Sequence, residues 1–383
     1  MKRLLRFSAF GLGSIALLII AFVAHIWTSL GSAPSGDRLI RISESPQFEN
    51  GQFYNRLPPI SHGLSLAMFK KFISGGSDFT HPENELPIIH RSKADFDDVS
   101  EDVRVTWLGH STILVELEGI RLLIDPVFGD YASPNKIKGI KRYAPAPLPI
   151  GDLPAVDAIV ISHDHYDHLD SETIRTLASE VPRFIVPLGI GSHLEYWGVD
   201  SDRIQELDWW EEVQIGGIRV VSTPARHFSG RSVNDRNATL WAGWAFKSQH
   251  RSIFYSGDSA MSPHFKEIGE RLGPFDLTLM ETGAYDPMWM DVHMGPEQAV
   301  LAHQDLRGHV FLPVHWGMFN LAFHGWTEPV ERTLAAAAEV GIPVALPRLG
   351  ESITLDSYPN QKWWPDTPWQ TKNEVPITSS GLK

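Results

Sequence analysis

Residues 163–170 read His-Asp-His-Tyr-Asp-His-Leu-Asp and follow the apolar run Ala-Ile-Val-Ile-Ser. That run is rich in β-branched residues and is typical of a buried strand that enters a loop. Side chains at i and i+2 of an extended segment point the same way, so His163 and His165 can share a metal ion. Asp167 and His168 lie just beyond, where a turning chain can aim them at a second ion. Imidazole and carboxylate suit zinc and its first-row neighbours, so this loop predicts a metal site rather than a solvated polar loop.

Three later strand-like segments also lead to ligand-type residues. Segments 218–223, 252–257 and 310–314 precede, in that order, His227, Asp258 and His315. Open α/β sheets collect their active sites at the carboxyl ends of strands. Taken singly, each of these would be an ordinary loop residue. Together with the loop they supply seven ligands, which is what two ions sharing a carboxylate need.

The pattern resembles the signature of the metallo-β-lactamase superfamily, His-x-His-x-Asp-His followed by a later His, Asp and His. Within it, the chain is most similar to the N-acyl-phosphatidylethanolamine-hydrolysing phospholipase D family and its bacterial relatives. The segments that carry this closer likeness are Val105–Thr112, Leu123–Phe128, Glu206–Glu212, Gly273–Leu277, Gly283–Tyr285 and His315–Gly317.

The resemblance implies an α/β fold, the αβ/βα sandwich of the superfamily, and two zinc ions as cofactors. It implies that one zinc is bound by His163, His165 and His227, the other by Asp167, His168 and His315, and that Asp258 bridges both. Two bridged cations activate water and neutralise the attacked centre, so Asp258 is also counted as catalytic.

Four further residues are candidates for the substrate side of the site. His293 precedes a predicted helix and resembles the family's substrate-facing histidine, so we expect it to donate a proton. A surface histidine at a helix N-terminus is the alternative. Tyr285 and Trp289 are expected to line the mouth, unless they are core aromatics. Asp164 could accept a proton or, in the favoured alternative, orient a ligand imidazole.

Two departures from the family pattern bear on the substrate. The motif after Tyr285 usually continues acidic-Pro-Arg-Trp, but Met288 stands here in place of the arginine. The absence of the arginine removes a group that can form paired hydrogen bonds with phosphate. Glu281 and Thr282 replace an apolar pair, and a carboxylate there could repel a phosphodiester or simply lie behind the site.

The leading function is a membrane-anchored zinc phosphodiesterase of phospholipase D type, acting on N-acyl-phosphatidylethanolamine or a related phospholipid. A lactonase or other carbonyl hydrolase on the same ions is the rival. A non-enzymatic metal-binding interaction domain is the third alternative, and the complete ligand set argues against it.

The composition limits the possible binding partners and the possible chemistry of the site. The net charge of −13 argues against nucleic acid. The chain has no cysteine, which excludes disulfides, thiolate ligands and a cysteine nucleophile. A phospholipid or another phosphodiester and the membrane are the expected partners, and homo-oligomerisation is left open.

The amino terminus suggests a membrane anchor. Three basic residues in the first six positions precede the apolar stretch Phe10–Trp27. The pattern predicts a single transmembrane helix at 9–30, with residues 1–8 in the cytoplasm and the catalytic domain on the periplasmic side of the inner membrane. A signal cleaved near Ala33 and a buried core helix are the alternatives.

The rest of the chain divides into three parts. We expect a linker and N-terminal extension at 31–94, with a short amphipathic helix at 68–73, the hydrolase domain at 95–359, and an irregular tail at 360–383. Predicted strands lie at 103–107, 112–117 and 121–124, with a Glu118-Gly119 turn, and predicted helices at 171–180, 263–272, 296–304 and 328–339, the first two capped by Asp170 and Ser262.

Overall fold

The computed structural model describes residues 17–60, 70–71 and 75–382. Two β-sheets pack face to face, and helices lie on the outer side of each sheet. This is the αβ/βα sandwich that the resemblance implied. Outside the sheets, a short hairpin is formed by β1 (Phe48–Glu49) and β2 (Gln52–Phe53).

The first sheet has seven strands in the order β15-β3-β4-β5-β6-β7-β8. Their bounds are β3 Val103–Gly109, β4 Thr112–Leu117, β5 Ile120–Ile124, β6 Ala158–Val160, β7 Phe184–Pro187, β8 Ile204–Leu207 and β15 Ser352–Ile353. Strands β3 to β5 form an antiparallel meander, and β5 to β8 run parallel. The parallel strands therefore direct their carboxyl ends to one edge of the sheet.

The second sheet has six strands in the order β14-β13-β12-β11-β10-β9. Their bounds are β9 Glu212–Ile215, β10 Ile218–Thr223, β11 Gly243–Lys247, β12 Ser252–Tyr255, β13 Phe275–Glu281 and β14 Gly308–Val314. Strands β9 to β12 are antiparallel, whereas β12, β13 and β14 are parallel. Three more strand ends therefore meet at one edge.

Two of the described helices precede the first strand, and the longer helices after them lie between strands of the two sheets. Residues 17–30 are helical, and the further α-helices are Gly36–Ser43, Ser171–Leu177, Gly191–Tyr196, His264–Leu272, Pro296–Asp305 and Glu328–Val340. The helices predicted at 171–180, 263–272, 296–304 and 328–339 are confirmed, with ends that shift by one to three residues.

Strand β4 shows how the sandwich is built from residue alternation. Ile113 and Val115 face the core between the two sheets, whereas Leu114 points to the outer side and joins the cluster that includes Ile174 and Leu194. All three side chains are fully buried, because both faces of the sheet are covered. The one charged residue of the strand, Glu116, is also fully buried, and it forms ion pairs with Arg104 and Arg121.

Local turn and cap predictions had mixed outcomes. Glu118 and Gly119 both have positive φ, as a two-residue hairpin turn requires. The Asp170 carboxylate accepts a hydrogen bond from the Thr173 N–H at 3.2 Å, so the predicted cap is confirmed. The cap predicted at Ser262 is wrong, because Pro263 is the N-cap residue and the helix has no side-chain cap bond.

A buried ion pair ties the peripheral segments to the sandwich. Arg226 lies 2.9 Å from Asp291 and donates to the Leu57 carbonyl at 2.9 Å. Asp291 accepts from the Ile60 N–H and the Ser380 hydroxyl, both at 2.8 Å. The tail is therefore an irregular strap, and it meets the N-terminal extension at one buried carboxylate.

The predicted membrane anchor requires a correction. Among the residues that the structure describes, no helix is long and apolar enough to cross a membrane. Residues 17–30, where the described part of the chain begins, are helical. The last turn of this helix is bound to the domain, since Trp197 donates to the Thr28 carbonyl and Arg231 to that of Ser29.

The prediction of a transmembrane helix at 9–30 is therefore wrong, and so is the inner-membrane location with a periplasmic catalytic domain. Residues 1–16 lie outside the described residues, and these include the predicted cytoplasmic segment 1–8. Of the helix predicted at 68–73, only residues 70 and 71 are described, and both are helical.

Candidate metal centre

The loop that follows β6 carries four of the predicted ligands to the edge where the strands end. It meets three residues that follow β10, β12 and β14 of the facing sheet. Together with His110, which was not among the predicted ligands, these seven form two groups: His163, His165, His227 and Asp258 in the first, and His110, Asp167, His168 and His315 in the second. Within each group, one ligand atom per residue lies within 4.8 Å of the others. The structure thus brings all seven predicted ligands together.

The first group is a set of converging imidazoles. Nε2 of His163 lies 2.9 Å from Nδ1 of His165, and Nε2 of His227 lies 3.2 Å from the same Nδ1. Three ring nitrogens at such distances direct lone pairs at one point. That arrangement fits a cation held between them.

The second group is joined to the first through Asp258. Its Oδ2 lies 3.1 Å from Nε2 of His168, 3.1 Å from Nε2 of His315, and 3.6 Å from Nε2 of His163. Asp167 completes the group, with Oδ2 at 3.2 Å from His315 Nε2. One carboxylate oxygen therefore faces both ligand sets.

A layer of hydrogen bonds behind the ligands holds their rings. Nδ1 of His168 donates to Oδ2 of Asp125 at 2.7 Å, and the same oxygen accepts from the Tyr255 hydroxyl at 2.6 Å. The N–H of Ser162 donates to the other oxygen of Asp125 at 2.7 Å. Nδ1 of His227 donates to the Val292 carbonyl at 2.9 Å. The bonds made by His168 and His227 each leave the opposite ring nitrogen, Nε2, directed at the centre.

Burial and nearby carboxylates shift the ionisation of the two groups differently. Burial lowers the pKa of His163 and His227 well below the usual range, because a charged imidazole loses its hydration. Burial acts likewise on His315, but the charge of Asp258 and the hydrogen bonds to Asp167 and Asp258 together outweigh it and raise the pKa to about 10. Burial would raise the pKa of Asp258, yet His168 and His315 hold it well below the usual range.

The donor set fits a divalent metal. Across the described part of the chain, the buried atoms without a hydrogen-bond partner include Nε2 of His168 and Oδ1 of Asp258. An unpaired buried polar atom is costly unless something binds it. Neutral imidazoles and carboxylates, with no thiolate in the chain, are ligands for zinc and neighbouring first-row ions.

A cavity of about 380 Å³ opens over the centre. Polar ligands form its floor, and its walls include Phe228, Arg236, Trp289, Val292, His293 and Leu321. An apolar cavity with a few convergent polar groups is the usual form of a small-molecule site. This cavity is therefore the candidate active site.

His293 lies at the cavity beside the ligands. Its ring centroid is 5.3 Å from that of His315 and 5.0 Å from that of His227. Its Nδ1 is hydrogen-bonded to Oε2 of Glu281 at 2.9 Å. Burial lowers the pKa of His293 to about 4, whereas burial and then the charge of Asp258 raise that of Glu281 well above its usual range.

Two of the predicted site residues lie away from the cavity. The Tyr285 hydroxyl donates to Glu328 at 2.9 Å and its ring stacks on His324, so it supports the wall from behind. Asp164 accepts from the Gly230 N–H and the Thr239 hydroxyl, both at 2.8 Å. Its carboxylate orders the loop after β10, so the proton-acceptor alternative finds no support here. Trp289 does line the mouth.

Three residues were not predicted as parts of the site. His110 lies 3.0 Å from Asp167, directly after β3, and its position at a strand end could have marked it. Asp125 follows β5 in the same way. Glu281 was noted as a departure only, and its contact with His293 brings together residues from two segments.

Comparison with known proteins places these residues in context. A family model described as a beta-lactamase superfamily domain matches residues 120–316. An uncharacterized protein of Mycobacterium tuberculosis is 43% identical over 336 residues, which are 85% of this chain and 88% of that protein. The N-acyl-phosphatidylethanolamine-hydrolyzing phospholipase D 1 of Caenorhabditis elegans is 37% identical over 251 residues, 62% of this chain and 70% of that protein.

A solved structure supports the fold. The isothiocyanate hydrolase from Delia radicum gut bacteria superposes with a TM-score of 0.53 at 20% identity, covering 66% of this chain and 98% of that one. At this identity the likeness bears on the fold alone. The sequence matches confirm the resemblance drawn from the motifs.

The contact between Asp125 and His168 yields a test. Asp125→Asn replaces one acceptor oxygen by an amide donor, so the hydrogen bonds to His168 and Ser162 can no longer both form. We expect the affinity for zinc to fall by roughly 10–100-fold in a chelator competition titration. Tyr255→Phe removes a neighbouring bond and spares His168, so it should have a smaller effect. Equal affinity in Asp125→Asn and the unmodified protein would contradict the role of Asp125.

Proposed function

The chain belongs to the metallo-β-lactamase superfamily and is a metal-dependent hydrolase, and from this premise we propose that it is a dinuclear zinc phosphodiesterase of phospholipase D type. The observation that carries the proposal is the position of Asp258. Its Oδ2 lies within 3.6 Å of nitrogen ligands from both groups. A carboxylate shared in this way suits two ions side by side.

The residues that would hold the ions are those of the two groups. His163, His165 and His227 would bind the first zinc, Asp167, His168 and His315 the second, and Asp258 both, with His110 next to Asp167. When bound, two such cations activate water as a nucleophile and neutralise the negative charge of a phosphoryl group.

His293 is proposed to donate a proton. Because Glu281 occupies Nδ1, the nitrogen left to meet a substrate is Nε2, and the ring lies at the cavity wall. In the reaction, the oxygen of water bonds to phosphorus, the bond from phosphorus to the head-group oxygen breaks, and one proton of the water passes to solvent. The leaving oxygen takes the proton from Nε2, which solvent restores, and phosphatidate and the head-group alcohol result.

The substrate class rests on sequence likeness and on the cavity wall. The Caenorhabditis elegans relative is named for hydrolysis of N-acyl-phosphatidylethanolamine. Phe228, Trp289, Val292 and Leu321 give the cavity an apolar side that suits an acyl chain. N-Acyl-phosphatidylethanolamine or a related phospholipid is therefore the proposed substrate.

The first prediction from this proposal concerns metal content. Protein purified with zinc should carry about two equivalents of the ion by elemental analysis. Asp258→Ala should lower the occupancy and abolish turnover, because both sites lose their shared anion. Asp202→Ala removes an exposed carboxylate elsewhere and should change neither quantity. Tight binding of a single ion, unaffected by His168→Ala and His315→Ala, would rule out the dinuclear centre.

The second prediction concerns the proton donor. His293→Ala should slow phosphodiester turnover by roughly 10²–10⁴-fold, since the leaving oxygen loses its acid. Metal content should stay unchanged, because the proposed ligands are all retained. His309→Ala, which removes an exposed histidine, serves as the control. A normal rate in His293→Ala would leave the histidine with a structural role only.

The third prediction concerns the substrate. Metal-loaded protein should release phosphatidate from N-acylated or ordinary phosphatidylethanolamine, detected by mass spectrometry. The same preparation is assayed on simple phosphodiesters and on lactones. Vigorous lactone hydrolysis with no phosphodiester turnover would assign the centre to a carbonyl hydrolase instead.

A further inference from the structure

We propose that Arg236 is a specificity-determining residue that captures the anionic phosphodiester at the mouth of the cavity. The inference rests on the proposed function. It starts from the charge of the chain, since the whole chain carries −13 and an anionic substrate must approach it. At the floor of the cavity the phosphoryl group would meet the two proposed zinc ions, and a cation at the mouth would meet the anion before it reaches them.

Arg236 is the one arginine or lysine among the described residues that line this cavity. It is exposed, and its guanidinium carbon lies 4.5 Å from the centre of the Phe228 ring. Within the described ranges, no carboxylate forms an ion pair with it. Its charge is therefore available to a ligand.

The Phe228 ring connects Arg236 to the metal centre. Its centroid lies 4.5 Å from that of His165 and 4.8 Å from that of His227. The guanidinium therefore rests one aromatic ring away from the ligands of the first group. Arg236 and ligands of both groups line the same cavity, so a phosphodiester bound at the centre would share that space with the guanidinium.

The backbone around Arg236 is held while its side chain is exposed. The N–H of Asn237 donates to the Ser229 carbonyl at 3.0 Å, and the Asn237 carbonyl accepts from the Phe53 N–H at 2.8 Å. Asp235 accepts from the Ser232 N–H at 2.8 Å, on the other side. The base of the side chain is thus fixed beside the mouth.

The guanidinium can exchange its aromatic partner for phosphate. A cation–π contact at an exposed site is weak, whereas guanidinium and phosphate form paired, charge-assisted hydrogen bonds. Arg236 would leave Phe228 as the phosphodiester arrives and pair with its non-bridging oxygens. The acyl portion would then meet the freed ring.

The test compares Arg236→Gln and Arg236→Lys with unmodified zinc-loaded protein. Arg236→Gln should raise KM for a phosphodiester about 10-fold or more and leave kcat nearly unchanged, because capture precedes the chemical step. Arg236→Lys keeps the charge but loses the paired hydrogen bonds, so its KM should lie between those of the unmodified protein and Arg236→Gln. Raising the salt concentration should increase the KM of the unmodified protein more than that of Arg236→Gln, because salt screens the charge of the arginine.

Arg271→Gln is the matched control, because Arg271 also covers an aromatic ring, Trp210, at 4.2 Å, and does not line the cavity. It should leave KM unchanged. Equal KM values in Arg236→Gln and the unmodified protein, with phosphodiester turnover intact, would overturn the inference and spare the proposed function.

Binding of inorganic phosphate, measured by calorimetry on the zinc-loaded protein, separates the two proposals. Weaker phosphate binding in Arg236→Gln would support capture by Arg236 even if no phosphodiester were hydrolysed, and only the proposed function would then fail. Identical binding in both proteins would overturn the role of Arg236, whatever the turnover assays give.

Discussion

One carboxylate oxygen, Oδ2 of Asp258, lies within 3.9 Å of a ring nitrogen of five histidines: His163, His168, His227, His293 and His315. Five imidazole nitrogens can surround the buried Asp258 carboxylate in this way only if a positive charge lies among them. The surrounding structure holds these side chains around the carboxylate. The ligands come from opposite sheets, so the centre also joins the two halves of the sandwich.

The backbone at the strand ends is shaped to bring the ligands so close. Gly257 has a φ of +56°, and an added Cβ would lie 2.6 Å from the Ala242 carbonyl oxygen, so only glycine fits before Asp258. His110 and His315 also have positive φ, which is unfavourable for residues with a side chain. The His315 N–H donates to the His110 carbonyl at 3.0 Å and helps to hold that conformation. Strained backbone of this kind is found where function requires it.

Much of the fold and of the metal centre could be predicted because both depend on local patterns. The alternation of strand and helix, and a ligand after each of several strands, are readable from consecutive residues. The membrane anchor was wrong, because apolar length alone did not show that the Thr28 and Ser29 carbonyls are hydrogen-bonded to Trp197 and Arg231. Tyr285 was expected at the mouth or in the core, and Asp164 beside a ligand imidazole, and their side chains are hydrogen-bonded to Glu328 and Thr239.

The sequence by itself determined which residue types could bind metal and at which strand ends they stand, since these follow from side-chain chemistry and from the two-residue period of a strand. Only the tertiary structure decided which of them meet. His110 is hydrogen-bonded to Asp167, and Glu281 is hydrogen-bonded to Nδ1 of His293. Arg236 lies at the mouth of the cavity with its guanidinium against the Phe228 ring. Each of these pairs is separated in the chain or depends on the direction of a side chain. A local sequence pattern does not encode such contacts, because they form only when the loops at the strand ends fold beside one another.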